Sequence, residues 1–213
     1  MIGLRVAPIV EGHGEVEAVR ILLERAWREI VHGDYIDVLR PIRMPRSKLL
    51  KIGRRGERGV TTPDEREIGR AVELAAAKLR GPFDVALPNL ILILLDADYD
   101  CPKDLAPAIL EATSSRATEC DIVCVLAKAE YETWFVAAAE SLADYLTVLP
   151  NETIPEEPEQ SGARKGWIAK RFKSPSYKET VDQPRLTAAM DLKLCRQRAP
   201  SFDKLCRELA RRA

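Results

Sequence analysis

Six aliphatic residues in succession, Leu90-Ile91-Leu92-Ile93-Leu94-Leu95, break off at Asp96-Ala97-Asp98-Tyr99-Asp100. An apolar run this short, ended by turn residues, reads as a strand buried on both faces, as at the centre of a parallel sheet. Such a strand needs helices above and below it, so an α/β fold is expected. The run is far too short to cross a bilayer. In open sheets of this kind ligands bind beyond the carboxyl ends of the strands. The three aspartates fall at that edge.

The rest of the chain fits the same architecture. Gly3–Val10 reads as a buried first strand, followed by the turn Glu11-Gly12-His13-Gly14. Val16, Val19, Leu23, Ala26 and Ile30 then recur at helical spacing to about residue 31. Residues 35–42 read as a second strand and residues 43–62 as a long loop. Thr62-Pro63-Asp64-Glu65 is a helix start with Thr62 as cap, and that helix runs to about Leu79. A helix over 103–117 and a strand over 121–126 follow the aspartates. A further helix from Glu130 places Trp134 and Phe135 on its apolar, core-facing side. Alternation of strand and helix predicts a Rossmann-like, mostly parallel sheet with helices on both faces over residues 1–148. Residues 149–213 then form a basic connector and a small C-terminal helical extension, with helices near 184–198 and 201–212 packing on the sheet domain.

Composition narrows the function classes. Apolar residues make up 46% of the 213, enough for a full core. Five cysteines without CxxC spacing and only two histidines argue against a disulfide framework and a closed zinc site. No charged-then-apolar opening segment is present, so a cytoplasmic protein that spans no membrane is expected. The net charge of zero hides an asymmetry: −5 over residues 1–150, −4 over 151–160 and +9 over 161–213. An acidic site in one part and an anionic partner near another would account for it.

Glu11 ends the first strand, and Asp96, Asp98 and Asp100 follow the strand of the aliphatic run. If those strands are neighbours, four carboxylates converge, which is costly without a cation. Oxygen-only ligands suit Mg²⁺ or Mn²⁺. Gly12 and Gly14 would let the backbone approach a phosphate. Each acid also has a structural reading: Asp100 as a turn former, and Glu15, Glu130 and Glu132 as acids favoured at helix N-termini. Other phosphate signatures fit poorly. Glu17 stands where a dinucleotide fingerprint needs its third glycine, and no Gly-Lys-Ser/Thr closes a P-loop.

Val10-Glu11-Gly12 and Asp96-Ala97-Asp98 resemble the Toprim domain of primases, topoisomerases and OLD-type nucleases. A longer pattern resembles a prokaryotic Toprim-like family of unknown function. It comprises Ile9-Val10-Glu11-Gly12 with Glu15, Asp96-Ala97-Asp98, Glu130-Tyr131-Glu132 with Trp134-Phe135, Tyr177-Lys178, Asp182-Gln183-Pro184 with Leu186, and Ala199-Pro200-Ser201-Phe202. The resemblance implies metal and catalytic roles for Glu11, Asp96 and Asp98, with Glu130 or Glu132 in support. It also implies a phage-defence nuclease acting beside an ATPase partner. The alternative is a non-catalytic module that binds nucleic acid or a protein.

A nuclease must also hold a polyanion. Arg43, Arg46, Lys48, Lys51, Arg54, Arg55 and Arg58 supply seven cations in the expected loop. Lys165, Arg171 and Lys173, with Arg164 and Lys170, supply more beside Trp167 and Phe172, which are available for base stacking. Either run is also what a solvated surface looks like.

Overall fold

The computed structural model describes residues 3–52, 61–82, 86–114, 116, 119–148, 154–162, 164–174 and 176–213. Five parallel strands form the central sheet: β1 (Gly3–Val10), β2 (Tyr35–Val38), β3 (Ile42–Arg43), β6 (Asn89–Asp96) and β7 (Asp121–Ala127). Their order is β2-β1-β6-β7, with β3 also pairing β1. β2 aligns with Gly3–Val6 and β3 with Ile9 and Val10, so both lie on one edge of β1. Residues 35–42 are therefore not one strand but two. Pro41, which has no N–H to donate, falls in the break.

β6 lies between β1 and β7 and is buried from Leu90 to Leu95. Its alternate residues enter two cores. Leu90, Leu92 and Leu94 pack with Val6, Val10 and Val125 against α1 (His13–Ala26), α5 (Glu132–Ala137), α8 (Glu179–Ala189), α9 (Leu192–Arg198) and α10 (Pro200–Ala210). Ile91, Ile93 and Leu95 pack with Ala7 and Ile9 against α3 (Glu65–Leu79) and α4 (Pro102–Ser114). Each fully buried Leu or Ile side chain contributes about 1.5–3 kcal/mol, so this strand is the spine of the molecule. The C-terminal helices thus share a core with the sheet through Leu186, Cys195, Phe202 and Leu205.

Several local expectations need correction. Residues 43–62 are not a plain loop: α2 (Arg46–Leu49) leads into β4 (Leu50–Ile52), which pairs antiparallel with β5 (Thr61–Pro63). The next helix begins later than expected because Asp64, not Thr62, is its cap, accepting from the N–H groups of Arg66 and Glu67. The helix at 184–198 is two, α8 and α9, parted at Met190, with Asp191 capping the second through the N–H groups of Lys193 and Leu194. The helix from Glu130 is short, with α5 giving way to a 3₁₀ turn at Ala139–Leu142. Trp134 and Phe135 are fully buried, as their side of the pattern requires.

Short helices α6 (Pro158–Ser161) and α7 (Lys165–Arg171) connect the halves. Ser201, at the start of α10, fastens the tail to the sheet edge. Its Oγ accepts from Trp134 Nε1 at 2.8 Å and from the Lys128 backbone N–H at 3.2 Å, and donates to Glu159 Oε1 at 2.6 Å. No helix among the described residues is long and apolar enough to cross a membrane.

Candidate metal centre

β1 and β6 are neighbours in parallel register, Val10 opposite Leu94, so Glu11 and Asp96 leave the sheet side by side. The Asp96 backbone N–H binds the Glu11 carboxylate, while Glu11 Oε2 is buried without a hydrogen-bond partner. Burial, then repulsion from Glu15 and Asp98, pushes Glu11 up from 4.5 to about 7 against the opposing pull of Arg46 and that N–H. Asp96 Oδ1 accepts from the Tyr131 N–H at 2.8 Å. Its carboxyl nevertheless lies well above the usual range, first through desolvation and then through Glu15, Glu11 and Glu132.

The glycines of the turn serve side chains of the protein itself. A Cβ on Gly12 would stand 2.7 Å from Glu15 Oε2, which accepts from the Gly12 N–H. A Cβ on Gly14 would stand 1.8 Å from Gln183 Oε1 on α8. A carboxylate and an amide of the protein itself thus lie against these two glycines. Glu15 is buried, its carboxyl raised by desolvation and partly relieved by the Gly12 N–H and the Gln183 side chain.

Asp98 and Asp100 have a counter-ion in place. Arg46, the first residue of α2, reaches Asp98 Oδ2 with Nε at 3.1 Å and pairs with Asp100 through Nη2. Its Nη1 also donates to the Asp96 carbonyl. The loop is held from the other side by β7: Ala97 N–H donates to Ala127 and Asp98 N–H to Ala129, both at 2.8 Å. Asp98 (φ 48°) and Ala129 (φ 67°) are left-handed, which costs a non-glycine residue about 1–2 kcal/mol. The geometry thus holds the acidic loop in a conformation it would not choose alone.

Glu132 joins the cluster from the first turn of α5. It is buried, and desolvation raises it to about 7 despite the Tyr177 hydroxyl donating to Oε1 at 3.0 Å. Glu130 sits just outside, accepting from the Lys165 N–H at 3.0 Å. Among the described residues, no group of three His, Cys, Asp or Glu side chains is arranged to hold a metal ion. Glu11 and Asp96 nonetheless fit a hard cation: both are oxygen donors raised first by burial and then by neighbouring carboxylates, and one oxygen is orphaned.

The basic residues divide. Arg43 is exposed and acts on Glu15 from the end of β3. Lys48 is exposed, and Lys51 pairs with Asp64 at 2.9 Å. Arg54, Arg55 and Arg58 lie outside the described residues. Lys165 pairs with Glu179, and Lys173 Nζ donates to the Ala143 carbonyl at 2.6 Å. Arg171 lies 4.0 Å above the Trp167 ring. Trp167 and Phe172 pack partly buried against the core, and Arg171 covers one face of the Trp167 ring.

Sequence reasoning did not single out Glu179 and gave Gln183 and Tyr177 no place at the site, yet all three reach the cluster from the C-terminal segment. The motif Asp182-Gln183-Pro184 was visible, but nothing local links a buried glutamine to a turn 169 residues earlier. Comparison with curated proteins and with solved structures gives no match. The profile of one family, described as Domain of unknown function (DUF4276), matches residues 10–210. The chain therefore belongs to the DUF4276 family.

Proposed function

We propose that the strand-end cluster binds Mg²⁺ or Mn²⁺ and hydrolyses phosphodiester bonds in RNA or DNA, as the resemblance to Toprim-like nucleases implies. The observation that supports it best is the orphaned, buried Glu11 Oε2 beside Asp96, two oxygen donors that a cation would let ionise together. Glu11 and Asp96 would hold the ion, with Asp98 and Asp100 recruited from Arg46. The bound ion would polarise a phosphoryl oxygen and stabilise charge on the attacking and leaving oxygens.

The protein's own groups supply the rest. A Glu11 oxygen not engaged by the ion would accept and return the proton. Arg46, released from the aspartates, would face the phosphate. Tyr131 and Tyr177 fix Asp96 and Glu132 in place through the contacts described above. A nucleic-acid substrate and an ATPase partner belong to this reading through the resemblance.

A second reading rests on Arg46 itself. With Asp98 and Asp100 already neutralised, the site could be a stable internal ion pair in a non-catalytic binding module. Incubation with mixed RNA and DNA in Mg²⁺ or Mn²⁺, alone and with a candidate ATPase partner, separates the two. Cleavage that falls by about 10²-fold or more in Glu11→Gln supports the enzyme. Absence of cleavage under every condition favours the module.

A further inference from the structure

A cleft of about 500 Å³ opens where the acidic loop meets the tail. Its floor is the buried Leu126 of β7, and its walls include Pro102 and Pro200, where α4 and α10 begin. Four cations line it, Lys103, Lys128, Lys204 and Arg207, against one carboxylate, Glu159. That carboxylate is engaged: the Ser201 N–H and hydroxyl both donate to its Oε1, at 2.9 and 2.6 Å. Arg207 is shared with Asp203 at 2.8 Å. Lys103 and Lys204 have no ion-pair partner among the described residues. Lys128 Nζ lies 3.4 Å from the Asp100 carbonyl, so the cleft is continuous with the loop that bears Asp96 and Asp98.

Excess positive charge draws an anion, and the N-terminal ends of two helices add to that field. The apolar floor and proline walls call for a ligand that is not all charge. The volume is within the range of small-molecule pockets, about 300–1,000 Å³. A phosphate joined to a flat base meets both demands, and an unpaired strand offers its bases free for such a contact.

We propose that this cleft is a subsite for one nucleotide of a single nucleic-acid strand, holding its phosphate with Lys103, Lys128 and Lys204 and leading the strand toward the acidic cluster. The proposal rests on the nucleic-acid reading above and deepens it. None of the cations named for nucleic acid from the sequence lies here, because these four come from three distant segments.

The full chain is tested in EDTA with a fluorescent single-stranded oligonucleotide, as RNA and as DNA. Lys103→Glu with Lys204→Glu should weaken binding at least about 10-fold at low salt and flatten the salt slope by about 1.4. Reversal of the exposed α3 residues Arg66 and Arg70 should change neither beyond a small screened effect. Cys101, the one exposed cysteine among the five and a lining residue, gives an independent readout. The oligonucleotide should protect it from N-ethylmaleimide, as located by mass spectrometry.

Wild-type affinity in the double reversal with unprotected Cys101 would overturn the proposal, as would absence of any binding. Equal protection by inorganic phosphate alone would overturn the nucleotide assignment. Protection without metal-dependent cleavage would keep the cleft and remove the nuclease reading. Cleavage lost in Glu11→Gln, with binding unaltered by the reversals, would do the opposite.

Discussion

Replacing Glu11 by Gln should make the metal-free protein more stable at alkaline pH and leave it unchanged in acid. The carboxyl rises from 4.5 to about 7 on folding, chiefly because it is buried and then because Glu15 and Asp98 face it. At 1.36 kcal/mol per unit, that rise corresponds to about 3.4 kcal/mol of ionisation cost. Below the unfolded value the group is protonated in both states and contributes no difference. Between 4.5 and about 7 the unfolded chain gives up its proton first, so stability falls as pH rises. Above about 7 the full penalty applies. Gln keeps the shape but cannot ionise, and its amide oxygen accepts from the Asp96 N–H more weakly than the carboxylate does. A net gain of about 2–3 kcal/mol is therefore expected at pH 8.5, and about zero at pH 4.5. Urea unfolding of both proteins in EDTA, at steps between those pH values, measures the difference. Glu132 gives both proteins a common slope, while Asp96, which Glu11 helps to raise, is relieved in the variant and adds to the gain at high pH, so the difference between the two proteins is the test. A difference that stays constant with pH would refute the reasoning.

Other perturbations follow from the same contacts. Gly14→Ala should destabilise by about 1–3 kcal/mol in thermal melts, although Ala ordinarily favours a helix, because its Cβ would meet Gln183 Oε1 at 1.8 Å; a stabilised variant would show that α8 yields. Arg46→Ala should cost about 3 kcal/mol without divalent ions and enlarge the stabilisation by Mg²⁺, since Asp98 and Asp100 lose their counter-ion. Equal Mg²⁺ effects in both proteins would contradict this. Tyr177→Phe should cost about 1–2 kcal/mol at pH 8.5 and less at pH 5, where Glu132 is protonated and needs its donor less. Paired denaturant curves at the two pH values decide it.

The central strand and its acidic edge were legible because both are local. Leu90–Leu95 could only be a strand covered twice, and strand ends are where an open sheet presents its groups. The adjacency of Glu11 and Asp96 needed only that β1 and β6 be neighbours. What escaped was long-range. Arg46 reads in sequence as one of seven cations on a loop, yet the fold turns it onto Asp98 and Asp100. Gly12-His13-Gly14 looks like a phosphate turn until Glu15 and Gln183 are seen in that space. Trp167 and Phe172 among basic residues resemble a stacking platform, and the sequence alone does not show that both rings also pack partly buried on the core. The break at Leu39–Pro41 and the cap at Asp64 were misread because neighbouring residues offered an equally good local pattern.

The account turns on whether Glu11 and Asp96 together bind a divalent cation. Calorimetric titration of Mn²⁺ into the metal-free protein at pH 7.5 tests it most directly, with Glu11→Gln/Asp96→Asn as the paired variant. Saturable binding with proton release is expected in the wild type, because carboxyls raised by burial and by their neighbours must give up protons as the ion binds. The variant should remain folded and show neither. Absence of saturable binding in the wild type, or equal binding in the variant, would contradict the account.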